Sequence, residues 1–328
     1  MEETDVAEET TESFEEKKLL ARKAKAAGET PAEDPVEGLP KGKIGDIEIS
    51  RIICGSNLFW GAAHSRELKY VSRLLRSYFT KDKIFETLQL CEENGINTNI
   101  GDAGMVESYR EERGGSMQSI AQVDPDNYRH RPDGAVVTTT DDIHRIIDQT
   151  AERGAVGILI IGVRADRYVK ANRLDLIEEF ITYGKKAGLI TGVGGHDKRV
   201  PEACEKAGID TDFYFKTIHH DGYYSALPKE KREPFLVDSY GPGDHDCIWE
   251  QYPEETIEIM KTVKKPWIGF KVLAAGALDP RDGFAFAFRN GADYACVGMF
   301  DWQVREDALI AKEILATSEV SDRPRPWV

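Results

Sequence analysis

VGILIIGVRADRYVKANRLDLIEEFITYGKKAGLITGVGGHD, residues 156–197, opens and closes on apolar runs and carries an amphipathic helical pattern between them. Two near-continuous apolar runs joined by a helix are what parallel strands require, because both faces of each strand are buried and the return path needs a crossover. The Ala-Gly pair in KKAGLI stops the helix, since glycine enters the left-handed conformation that ends a helix. The same kind of boundary recurs in EENGIN, EKAGID and FRNGAD. The unit therefore repeats.

Working outward, strands are predicted at RIICG (51–55), INTNI (96–100), SMQSIAQV (116–123), VGILIIG (156–162), LITGVGG (189–195), FYFKTI (213–218), WIGFKVLAAG (267–276) and YACVGMF (294–300). Helical patterns fall between them in TKDKIFETLQLCEENG, DDIHRIIDQTAERGA, LDLIEEFITYGKKAG, PEETIEIMKTVKK and REDALIAKEILAT. Eight strands, each followed by a helix, predict a closed (β/α)8 TIM barrel. An open doubly wound sheet is the alternative, but no GxGxxG follows the first strand.

Long insertions at 56–79 and 219–252 follow the first and sixth strands. Both lie at strand C-termini, where barrel enzymes assemble their sites. The second is polar, aromatic and irregular, so it reads as a lid. Residues 1–40 carry twelve acidic and five basic side chains, interrupted by proline and glycine, and read as an acidic, flexible tail. Residues 41–328 form the barrel domain in this reading.

The formal net charge of −15 opposes binding to nucleic acid or anionic lipid, which draw affinity from clustered lysine and arginine. No run approaches the roughly 18 apolar residues of a membrane helix. The first residues, MEETDVAEETTESFEE, have neither the basic nor the apolar region of an export signal. A cytoplasmic location is expected, or an exported one only where a signal precedes the chain. Cys54, Cys91, Cys204, Cys247 and Cys296 include no CxxC pair, so neither a disulfide framework nor a zinc knuckle is indicated. The expected partner is a small-molecule substrate, and a homo-oligomer stays open.

KGKIGDIEISRIICGSN, EENGIN and the later GLITGVGGHD resemble the aldo/keto reductases, a family of NADPH-dependent (β/α)8 barrels with a short N-terminal hairpin. That resemblance implies a hairpin before the first strand and an Asp, Tyr, Lys and His tetrad. The tetrad does not carry over: Ile100 stands where the family has its aspartate, which leaves Asp102 and Tyr109 as displaced substitutes. SMQSIAQVD lacks the family's lysine, and VGILIIGVR lacks its histidine. Separately, DFYFKTIHH and IGFKVLAAGALDPRDGFAFAFRNGADY are similar to the lysine-bearing strands of class I deoxyribose-phosphate-type aldolases. That similarity implies a Schiff-base lysine at Lys216 and a neighbour that lowers its pKa at Lys271.

A period of two in the sixth strand places Tyr214, Lys216, Ile218 and His220 on one face, with Phe213, Phe215, Thr217 and His219 on the other. With the aromatic side against helices, Lys216 is expected to enter the barrel. In the seventh strand the same logic turns Ile268, Phe270 and Val272 outward and Gly269, Lys271 and Leu273 inward. His196, His219 and His220 end adjacent strands, where imidazoles suit acid–base work or, together, a metal. The predicted catalytic set is Lys216, Lys271, His196, His219 and His220.

Asn57, Asn99, Asp102, Arg164, Asp301 and Trp249 are predicted substrate contacts, with Trp60 and His64 as further lining and His245, Asp246 and Glu250 as lid residues. Gly276 and Gly298 mark the phosphate region of many barrels. A divalent metal, NADPH or no cofactor all remain open. These residues point to an enzyme doing non-redox lysine and histidine chemistry, of isomerase or lyase type, on a small carbonyl or sugar-like substrate. The alternatives are an NADPH-dependent oxidoreductase with a rearranged tetrad and a catalytically inactive barrel that binds.

Overall fold

The computed structural model of the chain describes residues 34–64, 68, 70–126, 136–232 and 250–328. Residues 1–33 of the acidic tail and the lid residues His245, Asp246 and Trp249 lie outside the described residues. An antiparallel hairpin, β1 (Lys41–Ile44) and β2 (Ile47–Ser50), precedes eight parallel strands that close into a barrel. These are β3 (Ile52–Gly55), β4 (Thr98–Gly101), β5 (Gln118–Val123), β6 (Gly157–Ile160), β7 (Ile190–Gly195), β8 (Phe213–Thr217), β9 (Trp267–Phe270) and β10 (Tyr294–Val297), with β10 paired to β3. The predicted (β/α)8 barrel and its hairpin are the observed fold.

Helices α1 (Tyr70–Tyr78) and α2 (Lys81–Glu93) follow β3, and α3 (Ala103–Arg113) follows β4. Then come α4 (Thr140–Glu152) after β5, α5 (Gly162–Lys170) and α6 (Leu174–Lys186) after β6, and α7 (Arg199–Ala207) after β7. The circuit ends with α8 (Pro253–Thr262), α9 (Pro280–Arg289), α10 (Val304–Leu315) and the single turn α11 (Ser318–Ser321). Each glycine in the four predicted helix-ending pairs has positive φ, from +72° at Gly208 to +105° at Gly291. No helix among the described residues is long and apolar enough to cross a membrane.

The barrel interior takes one face of every strand, including Ile53, Ile100, Ile120, Leu159, Phe215 and Phe270, and Ile44 and Ile49 of the hairpin join the same cluster. Phe215 and Phe270 stack at 4.0 Å between centroids and 9° between planes. Such a pair adds about 0.5–1.5 kcal/mol beyond area burial. The predicted phase of β8 and β9 is thus reversed. Phe213, Phe215, Ile268 and Phe270 fill the interior, while Tyr214, Ile218 and Trp267 pack outward with the helices. Lys216 pairs in register with Gly269 on that outward layer. The cause is volume: phenylalanines fill a barrel centre that an unpaired ammonium could enter only at a large desolvation cost.

Two other boundaries differ from prediction. β9 stops at Phe270, because Lys271 takes φ +56° and leaves the strand. VRADRYVK, given no element in the sequence pattern, is helix α5, begun directly after β6. Within the segment read as tail, Val36 and Leu39 are buried, and the Val36 amide donates to Asn94 Oδ1 at 2.9 Å. On the N-terminal side of the barrel Asp293 accepts the guanidinium groups of Arg323, at 2.6 Å, and Arg325, which ties down the last residues of the chain.

Candidate active site

The C-terminal ends of β6, β7 and β9 bring together a set of groups around His196. α5 opens at Gly162, and its buried Asp166 reaches back to β7. Asp166 Oδ2 lies 2.8 Å from His196 Nδ1, and Oδ1 accepts the backbone amides of His196 and Asp197 at 3.0 and 3.1 Å. The imidazole side chain is 10% exposed and meets the Phe270 ring edge-on at 5.3 Å. It therefore sits above the barrel interior.

Two glycines make this approach possible. A Cβ at Gly162 would lie 2.7 Å from His196 Cε1 and 2.9 Å from Nδ1. A Cβ at Gly194 would lie 2.5 Å from the Ile160 carbonyl oxygen and 2.8 Å from the Gly162 nitrogen, which are backbone atoms that cannot rotate away. Gly194 of GVGGHD thus admits the start of α5.

His64, after β3, and Lys271, after β9, act electrostatically on the same imidazole. Both hold left-handed backbone, at φ +48° and +56°, where side chains other than glycine are uncommon. Local strain of this kind gathers at functional sites. Asn57 Nδ2 lies 3.2 Å from His64 Nε2, so the amide donates to that nitrogen and leaves the ring proton on Nδ1.

Burial pushes the Asp166 carboxyl up from 3.8 to about 7, against the opposing pull of the Asp197 and His196 amides and of Lys216 and Lys271. Burial also holds His196 well below the usual histidine range, reinforced by Lys271 and Lys216 and opposed by Asp197. His64 is held down in the same way by burial, then by Lys271 and His196. Each partner of the dyad is thus favoured in its neutral form, and one proton lies between Asp166 and Nδ1. Above pH about 7 the Asp166 carboxylate accepts from Nδ1–H and leaves Nε2 free as a base; below it one further proton is bound, Asp166 donates to Nδ1, and Nε2 carries the ring hydrogen and can donate.

The other predicted residues have structural partners. Lys216, 1% exposed, donates to Glu250 Oε2 at 2.5 Å, Thr217 Oγ1 at 2.7 Å and Thr217 O at 3.2 Å. All three ammonium protons are used, so Lys216 does not reach the mouth as an imine-forming amine. His219 is fully buried and donates from Nδ1 to the His220 carbonyl at 2.9 Å, while its Nε2 accepts the Glu250 amide at 3.3 Å. Burial pushes it down to about 4, and the His220 carbonyl opposes this. His220 turns outward to Asp282 at 2.9 Å. His196, His219 and His220 are therefore not gathered on one point. Among the described residues no three His, Cys, Asp or Glu side chains are placed to hold a metal ion.

Arg164, 2% exposed, donates twice to Asp124, at 2.9 and 3.1 Å, and pairs with Asp126 at 2.5 Å. It fastens α5 to the end of β5. Asn99 is fully buried and binds Ser56 Oγ and the Cys54 carbonyl, bridging β3 to β4. Asp102 caps α3 through the Met105 amide at 2.9 Å. Asp301 holds Lys83 at 3.0 Å and the Tyr78 hydroxyl. Tyr109 is 1% exposed and donates to Glu92 at 2.6 Å. Gly298 is covered by Leu58, whose Cγ would lie 3.0 Å from an added Cβ, and Trp60 is 54% exposed.

Of the predicted groups, His196, Lys271 and His64 are coupled electrostatically, and Asn57 joins them through its hydrogen bond to His64. Asp166 was missed because α5 was missed; a helix begun directly after VGILI would have placed it one turn in, beside the next strand end.

No family model matches the chain, and no curated protein matches it in sequence. In fold it is similar to a Pseudomonas aeruginosa protein assigned to the aldo-keto reductases, with a TM-score of 0.57 and 14% identity over 86% of this chain and 98% of that one. An aldo-keto reductase from Bacillus halodurans in its holo form aligns with a TM-score of 0.48 and 11% identity, over 89% and 98% of the two chains. A native KDPGal structure aligns with a TM-score of 0.42 and 10% identity, over 80% and 92%. At these identities the likeness is one of fold: a closed barrel shared with enzymes.

Proposed function

We propose that this barrel is an enzyme catalysing non-redox proton transfer on a small carbonyl or polyhydroxylated substrate, of isomerase or lyase type. The observation that carries the reading is the Asp166 and His196 pair at 2.8 Å, met at the barrel mouth by Lys271 and His64 in strained backbone. His196 Nε2 takes the proton from carbon beside the carbonyl. The electron pair of that C–H bond becomes the C=C of an enolate, and Lys271 stabilises the negative oxygen. Where the deprotonated carbon bears a hydroxyl, moving that hydroxyl proton to the enolate oxygen and returning the abstracted proton to the former carbonyl carbon completes an isomerisation, with no oxidant or reductant consumed.

The fold likeness brings NADPH-dependent reduction as the alternative. The residues do not fit it: Ile100 stands in place of the acid, Asp102 caps α3, and Tyr109 is spent on Glu92.

The test is deuterium incorporation, read by proton NMR in heavy water, on a panel of trioses, pentoses and 2-oxo acids. Exchange is expected at carbon next to the carbonyl, falling by roughly 10²- to 10⁴-fold in His196→Asn, the range of a general acid–base group. Equal exchange in wild type and His196→Asn defeats the reading. Binding of NADPH, seen by its fluorescence, with no exchange on any panel member, favours the reductase.

A further inference from the structure

We infer that Thr217 is a positioning residue for His196, held in place by the buried Lys216 and Glu250 pair. This inference rests on the proposed role of His196. Strand register sets the geometry: Gly195 pairs with Lys216, which brings His196, the next residue, alongside Thr217. Thr217 is fully buried, and its Oγ1 lies 3.2 Å from the His196 carbonyl oxygen and 3.1 Å from Glu250 Oε2. The hydroxyl has one proton and two acceptors. Lys216 Nζ occupies a lone pair of the same oxygen at 2.7 Å, which directs the hydroxyl hydrogen away from the ammonium and toward those acceptors.

Glu250 is itself fixed. Its Oε1 accepts the Tyr252 amide at 3.1 Å and Thr256 Oγ1 at 3.0 Å, both at the start of α8. The Trp267 indole donates to the Lys216 carbonyl at 3.1 Å, which ties β9 into the same network. The His196 peptide is thus gripped from two sides, by Asp166 on its amide and Thr217 on its carbonyl. The lysine expected to do chemistry and the glutamate expected in the lid serve instead to hold the hydroxyl that holds the histidine.

The test compares Thr217→Val, which keeps shape and loses the hydroxyl, with Thr217→Ser, which keeps the hydroxyl. The readouts are exchange activity and an NMR titration of His196, whose surroundings are Asp166 on α5, Asp197, Lys216 on β8, Lys271 after β9 and His64 after β3. Thr217→Val is expected to lose roughly tenfold in kcat/KM, the factor one buried hydrogen bond is worth, and to shift the His196 midpoint. Thr217→Ser is expected to restore both. A purely structural role would lower the melting temperature and leave the His196 titration in place.

The inference is overturned if Thr217→Val leaves the His196 titration unchanged in a folded protein. If the titration shifts and turnover does not, the positioning stands and the catalytic role of His196 falls.

Discussion

Removing the Glu250 carboxylate isolates a charge, and the cost follows from where that charge lies. In Glu250→Ala, Lys216 keeps its place at 1% exposure with only the hydroxyl and carbonyl of Thr217 left to accept from it. Breaking a buried pair on one side costs about 3–5 kcal/mol. The barrel unit Val36–Val328 unfolds with an entropy of about 0.6 kcal/mol/K, from the usual value per residue. The melting temperature should therefore fall by about 5–8 °C.

The double variant Lys216→Met with Glu250→Leu removes both charges and keeps the volume. It should recover most of the loss, because buried pairs replaced by apolar side chains are often neutral or better. Circular dichroism melts of wild type, Lys216→Met, Glu250→Leu and the double variant form a complete cycle, with Glu250→Ala measured beside them. A Glu250→Ala protein melting within a degree of wild type would show that the pair is solvated. A double variant no better than either single would show that the network, rather than the charge, is what matters.

Two further outcomes follow from other buried groups. Asp307, 1% exposed, has Oδ2 buried without a hydrogen-bond partner, and burial raises the carboxyl from 3.8 to about 7, helped by Glu306 and Asp279. The folded state keeps a proton that the unfolded chain has released, so stability is lost as pH rises from about 4 to 7. Asp307→Asn should raise the unfolding free energy read from urea titration by on the order of 2 kcal/mol at pH 8, and the gain should vanish by pH 4; an equal gain at both values refutes the cause. Gly162→Ala should cost at least tenfold in exchange activity while the fold stays intact, because its Cβ would displace the His196 ring from 2.7 Å. Wild-type turnover with an unmoved His196 titration would show that the ring does not need that space.

The candidate site was only half legible, for reasons that differ by residue. His196 and Lys271 sit at or just past strand ends, which alternation of strands and helices locates. Asn57 and His64 follow the first barrel strand in an insertion whose length marks it as functional. Asp166 depends on α5, which begins without a side-chain cap, so no start signal separates it from the strand before it. Lys216 looked reactive because a lone lysine in an apolar run suggests a depressed ammonium. Its partner, Glu250, lies 34 residues further along the chain, a pairing that no local pattern reports.

The sequence by itself determined the number of strands, the helices α2, α4, α6, α8 and α10 between them and the glycines that end helices, because all of these are set by interactions within a few residues. It could not determine which face of β8 and β9 is inside. In a parallel barrel both faces of a strand are buried, so a period of two yields two apolar faces and no sign to tell them apart. Only closure of the eight strands, which puts Phe215 on Phe270 and turns Lys216 toward Glu250, made that choice. That closure also brought Asp166 and His196 into one pair.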